Sequence, residues 1–288
     1  MSAREGQIGA DVGGRPGKGG VFASFYDHKS CRLCACEVAM VFRYVAIGDS
    51  QSEGLGDAPW PDGTPRGWTD RLAELLREHH GAVEYANLAV RGKEAAEVRD
   101  EQLGPALALG PDLVTMSAGF NDVLRPKVDF DELAEVLDDL VGSLRRAGAA
   151  VLMIPGPDLS ALIPLGKLFL TRHSLLNEII ESVAARHGAL APSAPPGSVF
   201  EDPRAWSDDR LHLSPLGHER LARGAAEQLG LAVEGGWWDP LPERVPPRTL
   251  AKDLRWFGAF GGPWVGRRLR GRSSGDGRSA KRPAYSPV

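Results

Sequence analysis

From residue 41 to residue 230 short apolar segments alternate with longer amphipathic ones, and this narrows the fold more than any other feature of the chain. Val41–Gly48, Val83–Leu88, Leu113–Ser117 and Ala150–Ile154 read as short, largely apolar strands. Between them lie helical patterns. Trp68–His80 repeats through Leu72, Leu75 and Leu76, and Glu94–Leu109 is expected to break at Gly104-Pro105. In Asp129–Ala147 the residues Phe130, Leu133, Val136, Leu137, Leu140, Val141 and Leu144 recur at helical spacing, and Asp129 with Glu132 has the form of a capping box. His173–His187 reads as a further helix, and a weak fifth strand is expected near Ala189–Ala191. Ser214-Pro215 supplies an N-cap and a first-turn proline for a last helix ending at Gly230. Apolar strands separated by helices belong in a parallel sheet covered on both faces. Residues 40–232 are therefore expected to form one three-layer α/β/α domain.

The flanks read differently. Residues 1–39 hold seven glycines and no hydrophobic period, so they are expected to be a disordered extension, with translation starting at Met40. Cys31, Cys34 and Cys36, the three cysteines of the chain, share one short stretch with His28. They lack the second ligand pair of a structural zinc site, so no metal is expected. Residues 233–262 contain Trp237, Trp238, Trp256 and Phe257, with a short helix at Thr249–Phe260, and are expected to pack on the domain. Residues 263–288, rich in Arg, Gly, Ser and Pro, read as a disordered basic tail.

Charge follows the same division. The formal net charge of −4 combines +7 on residues 251–288 with −11 on the rest of the chain. An acidic body gives no reason to expect nucleic-acid binding, whereas the tail could meet nucleic acid or an anionic membrane surface. No apolar run is long enough for a membrane-spanning helix, and the start of the chain lacks the apolar core of a secretory signal. With the sparse cysteines this points to the cytoplasm.

In a parallel sheet the chemistry gathers beyond the carboxyl ends of the strands. Gly48-Asp49-Ser50 follows the first strand, Arg91-Gly92 the second, and Gly119-Phe120-Asn121-Asp122 the third, while Asp209-Arg210-Leu211-His212 precedes the last helix. Four segments can thus bring a Ser, a Gly, an Asn and a His to one rim. Acyl transfer needs such a set. A serine hydroxyl requires a base, the imidazole requires a carboxylate to fix its tautomer, and the developing oxyanion requires preorganised donors.

These four blocks, in this order over roughly residues 42–230, resemble the SGNH hydrolases, also called GDSL-type lipases and esterases. The resemblance implies a flavodoxin-like parallel sheet of about five strands and no metal or organic cofactor. It implies Ser50 as nucleophile, His212 as base and Asp209 as its partner, with Ser50 N–H, Gly92 N–H and the Asn121 amide forming the oxyanion hole. The implied substrate is a small carboxylic ester. The same residues would serve an acyltransferase or a thioesterase, and a binding protein for anionic surfaces is the reading from another class. Gln51 and Ser52 depart from the residues usual in the family, and Pro192, Pro195 and Pro196 erode the fifth strand. Asp208 competes with Asp209, whose three-residue offset to His212 is the family's. Asp49 and Asp122 read as structural hydrogen-bonders, Arg91 as a solvated or substrate-steering cation, and His218 as a surface or structural residue. Leu162, Ile163, Leu165, Leu168 and Phe169 read as an exposed apolar excursion suited to a lid or acyl wall.

Overall fold

The computed structural model describes residues 41–288, apart from 157, 161, 165, 244 and 246–248. The readings of residues 1–39, of a start at Met40, of the cysteine cluster and of Leu165 lie outside the described residues. In chain order the elements are β1 (Phe42–Gly48), α1 (Ser50–Glu53), α2 (Trp68–His80), β2 (Val83–Asn87), α3 (Ala95–Val98), α4 (Gly104–Leu109), β3 (Leu113–Ser117), α5 (Phe120–Val123), α6 (Phe130–Arg146), β4 (Ala150–Met153), α7 (Leu170–His187), α8 (Pro215–Gln228), α9 (Leu250–Trp256), α10 (Gly262–Leu269) and β5 (Arg282–Pro287).

The sheet runs β4-β3-β1-β2-β5, with β1 to β4 mutually parallel. Every residue of β3 and all but Arg43 of β1 are buried, as expected of strands covered on both faces. One face turns Val45, Ile47, Val114 and Met116 into a core shared with α6 and α7. Along α6 the helical stripe of Leu133, Leu137, Leu140 and Leu144 is buried in that core, and Asp129 accepts from the N–H groups of Asp131 and Glu132 to start the helix. The other face carries alternate residues toward α2, which packs against α8. There Tyr44 and Tyr85 are buried with their hydroxyls satisfied by Thr115 at 2.7 Å and Thr69 at 2.9 Å. The result is the three-layer α/β/α architecture that the alternation predicts.

Two features depart from expectation. At Ala189–Ala191 the chain makes a single parallel bridge, Leu152 to Leu190, and goes no further. Pro192, Pro195 and Pro196 follow at once and remove the N–H donors that a ladder needs. The fifth strand is instead β5, antiparallel to β2 on the opposite edge, with Glu84 opposite Pro287 and Tyr85 opposite Ser286. The reading of residues 263–288 as a disordered tail is thereby corrected: the stretch holds α10 and β5. Composition hides this because its charged residues find partners. The buried Lys281 ammonium donates to Asp70 at 2.6 Å and to the carbonyls of Pro65 and Arg66 at 2.9 Å, while Arg282 lies over the Tyr85 ring. The prolines of β5 are tolerated because it is an edge strand.

The region expected to break at Gly104-Pro105 is continuous. α3 widens into a π-turn at Arg99–Leu103 and passes into α4, with Pro105 directly after the widened turn, the kind of local adjustment that lets a helix carry on past a proline. Among the segments after α8, the Trp237 ring is buried against Gly224, where a Cβ would come within 2.3 Å of it. Leu162, read as exposed, is buried, whereas Leu168 is exposed. No helix among the described residues is long and apolar enough to cross a membrane.

Candidate active site

The rim of the sheet is organised around the exit of β1. Gly48 has φ +124°, and a Cβ there would lie 2.1 Å from Ser117 O, so only glycine lets β1 close against β3 at this point. The Gln102 side chain, projecting from the π-turn, clasps the same residue twice. Gly48 N–H donates to Gln102 Oε1 at 2.7 Å, and Gln102 Nε2 donates to Gly48 O at 2.9 Å. Asp49 then caps α1, accepting from Gln51 N–H at 3.0 Å, and α1 begins with a half-buried Ser50. Burial pushes the Asp49 carboxyl up to about 7, against the Gln51 hydrogen bond and the nearby His212.

A second turn carries the acid and the base. Arg210 adopts φ +58°, an unfavourable conformation for a residue with a side chain, and this folds the loop back on Asp209. Asp209 Oδ1 accepts from Ser207 Oγ at 2.7 Å, Leu211 N–H at 2.9 Å and His212 N–H at 3.0 Å. Its Oδ2 accepts from His212 Nδ1 at 2.6 Å, which leaves Nε2 as the imidazole's acceptor nitrogen. Burial alone would raise the Asp209 carboxyl, but the hydrogen bonds and charge of His212 hold it well below the usual carboxylate range. The neighbouring Asp208 makes no such contact among the described residues. Arg210 is fixed from outside: it pairs with Asp253 at 2.7 Å and lies over Trp256, whose indole donates to Asp209 O at 2.9 Å.

Side chains of α1 tie the remaining blocks together. Gln51 Nε2 donates to Leu211 O at 2.9 Å, linking the Ser50 helix to the His212 turn. Glu53 accepts from Arg91 N–H at 2.7 Å and from its guanidinium, so Arg91 is neither solvated nor free to steer a substrate; it fixes the loop that carries Gly92. Gly92 has φ +78°, and a Cβ there would lie 2.2 Å from Ser273 Oγ, which itself donates to Gly92 O. Asn121 Nδ2 donates to Asp49 Oδ2 at 3.2 Å and to Lys93 O at 3.0 Å. Among the described residues, Ser50 N–H and Gly92 N–H donate to no protein acceptor, and no hydrogen bond joins Ser50 Oγ to His212. The structure thus joins Asp209 to His212, and Asn121 to the Ser50 turn, without closing the serine–histidine contact.

Other candidates are structural. Asp122 accepts from Ala95 N–H at 3.0 Å at the start of α3, and burial pushes its carboxyl up to about 6. His218 is fully buried, accepting from Trp68 N–H and donating to Leu55 O, and burial pushes it down to about 4. Sequence reasoning misses Gln102 and the Trp256–Asp253 clamp. Nothing in a single glutamine or a distant helix signals such contacts. Gln51 does carry a signal, as a departure from the family pattern.

A model of the GDSL-like Lipase/Acylhydrolase family matches residues 46–220, a span that includes Ser50, Gly92, Asn121, Asp209 and His212. Among solved structures, an acetylxylan esterase from Geobacillus stearothermophilus is 19% identical with a TM-score of 0.54, over 68% of this chain and 95% of its own. An alpha/beta hydrolase enzyme from the metagenome of Lake Arreo, Spain, is 20% identical with a TM-score of 0.57, over 67% of this chain and 98% of its own. At such identities the likeness speaks for the fold. A comparison with curated proteins gave no match.

Proposed function

The chain belongs to the GDSL-like Lipase/Acylhydrolase family and is an ester hydrolase of the SGNH type, and we propose that Ser50, His212 and Asp209 are its catalytic triad. The observation that carries this reading is the 2.6 Å bond from His212 Nδ1 to Asp209, in a turn tied to the Ser50 helix through Gln51. Asp209 fixes the tautomer and stabilises the imidazolium, while Nε2 is left to take the Ser50 proton as the hydroxyl attacks an ester carbonyl. That contact closes in the substrate complex, since catalytic hydrogen bonds commonly tighten only there.

The tetrahedral oxyanion rests on the N–H groups of Ser50 and Gly92, both without a protein acceptor among the described residues. Asn121 joins them by giving up its 3.2 Å bond to Asp49. His212 returns the proton to the leaving alcohol, then activates the water that cleaves the acyl-enzyme.

Labelling with a fluorophosphonate tests the assignment. The native chain is expected to label and to hydrolyse p-nitrophenyl acetate, whereas Ser50→Ala is expected to lose both, activity falling by at least about 10³-fold. Equal labelling of the two proteins would overturn it.

A further inference from the structure

α9, a π-turn at Phe257–Gly261 and α10 make one helical run from Leu250 to Leu269. The inner side of α9 grips the body through Asp253 and Trp256. Its outer side is apolar and open: Leu250 is 75% exposed, Leu254 65% and Phe257 52%. These three are spaced i, i+4 and i+7, so they form one stripe, and the exposed Phe260 and Val265 add apolar surface beyond it. Single exposed leucines are ordinary, but a cluster confined to one helical run is not.

The flanks of this surface are cationic. Lys252 and Arg255 are exposed on α9, and Arg267, Arg270, Arg272, Ser273 and Asp276 line an open cavity of about 510 Å³ at the far end. Asp253, the one acidic residue between 250 and 272, is already neutralised by Arg210. The 250 residues before this region carry −11, which orients the molecule with its basic end toward a negative surface. A nucleic acid would use the arginines and have no use for the leucine stripe. An apolar protein groove would use the stripe and have no use for the arginines. An anionic bilayer uses both, apolar side chains at the acyl boundary and cations among the phosphates.

We propose that the helical run 250–269 is an interfacial docking face that seats the protein on anionic lipid bilayers, with the Leu250–Leu254–Phe257 stripe entering the interface and the arginine-lined cavity meeting lipid phosphates. The proposal does not depend on Ser50 being the nucleophile. Sedimentation of the full chain with phosphatidylcholine vesicles, with and without phosphatidylglycerol, tests it. Binding is expected to the anionic vesicles, weakly or not at all to the neutral ones, and to fall as salt rises. Leu254→Ser with Phe257→Ser, and separately Arg267→Glu with Arg270→Glu, are each expected to weaken partitioning by at least about tenfold, about fivefold being expected per lost charge. Thermal unfolding of each variant serves as the fold control. Equal binding to both vesicle types, full binding by the Leu254/Phe257 variant, or RNA binding without vesicle binding would each overturn the proposal.

Discussion

Replacing Lys281 by methionine is expected to destabilise the protein by about 3–5 kcal/mol, the usual cost of breaking a buried ion pair. The lysine and Asp70 side chains are only 6% and 4% exposed, with Nζ 2.6 Å from Oδ2. Methionine follows the same path with similar volume, so packing is largely kept and the loss falls on charge and hydrogen bonding. Among the described residues, Asp70 would retain only distant hydroxyl contacts, from Thr69 at 3.4 Å and Tyr85 at 3.5 Å. A carboxylate left that way is an uncompensated buried charge. For a domain of this size such a loss lowers Tm by about 6–20 °C, taking roughly 2–4 °C per kcal/mol. Urea unfolding monitored by tryptophan fluorescence measures it, with buried Trp68 two residues from Asp70 as a natural reporter. Adding Asp70→Asn to the methionine variant removes the orphaned charge and is expected to restore more than half of the lost stability. An unchanged midpoint for Lys281→Met would mean that the lysine is not docked in solution, and the placement of β5 at the sheet edge would fall with it. A double variant no more stable than Lys281→Met would refute the buried-charge argument itself.

Gln102→Leu leaves the N–H and C=O of Gly48 without their side-chain partners, and is expected to lower kcat by about 10²-fold through misplacement of the Ser50 turn, with KM little changed. Steady-state kinetics with kcat preserved, alongside a lowered Tm, would make the clasp purely structural. Gly92→Ala demands an L-residue at φ +78° and places a Cβ 2.2 Å from Ser273 Oγ; a sharp loss of ester hydrolysis is expected in the same assay. Opposed pH slopes are expected from two buried groups. Asp49, raised from 3.8 to about 7, contributes stability that is present at low pH and lost as pH rises through 7. His218, lowered from 6.5 to about 4, contributes stability that is present above pH 6.5 and lost as pH falls toward 4. Between those limits the two offset each other, so Asp49→Asn should expose the histidine slope and lose about 3 kcal/mol from pH 6.5 to 4 relative to the unmodified chain. Urea midpoints across that range measure it.

What is legible in the sequence is what is local. The apolar runs of β1 to β4, the stripe of α6 and the Ser214-Pro215 start of α8 each declare themselves within a few residues. The four site blocks are legible for the same reason, since each follows a strand or precedes a helix, and the offset from Asp209 to His212 is itself a local spacing. The elements that escape such reading are defined by distant partners. β5 is a strand because β2 offers it an edge and Asp70 offers Lys281 a charge, and neither fact is written in Arg-Pro-Ala-Tyr-Ser-Pro. The outer stripe of α9 and α10 runs across the change of composition near residue 262, which hides that its period belongs to one helical run. Gln102 belongs with them, because its role depends on a glycine 54 residues away in the sequence.

The antiparallel edge strand also sets an order of events. β1, β2, β3 and β4 can assemble as their connecting helices form, each pairing across a modest loop, whereas β5 must find β2 across about 200 residues. On the ribosome, residues 282–287 emerge after every other element described. Until then β2 presents an unpaired edge and Asp70 waits without its cation, a state inviting pairing with another nascent chain. Chaperone dependence during synthesis would therefore concentrate in the interval between completion of α8 and arrival of β5.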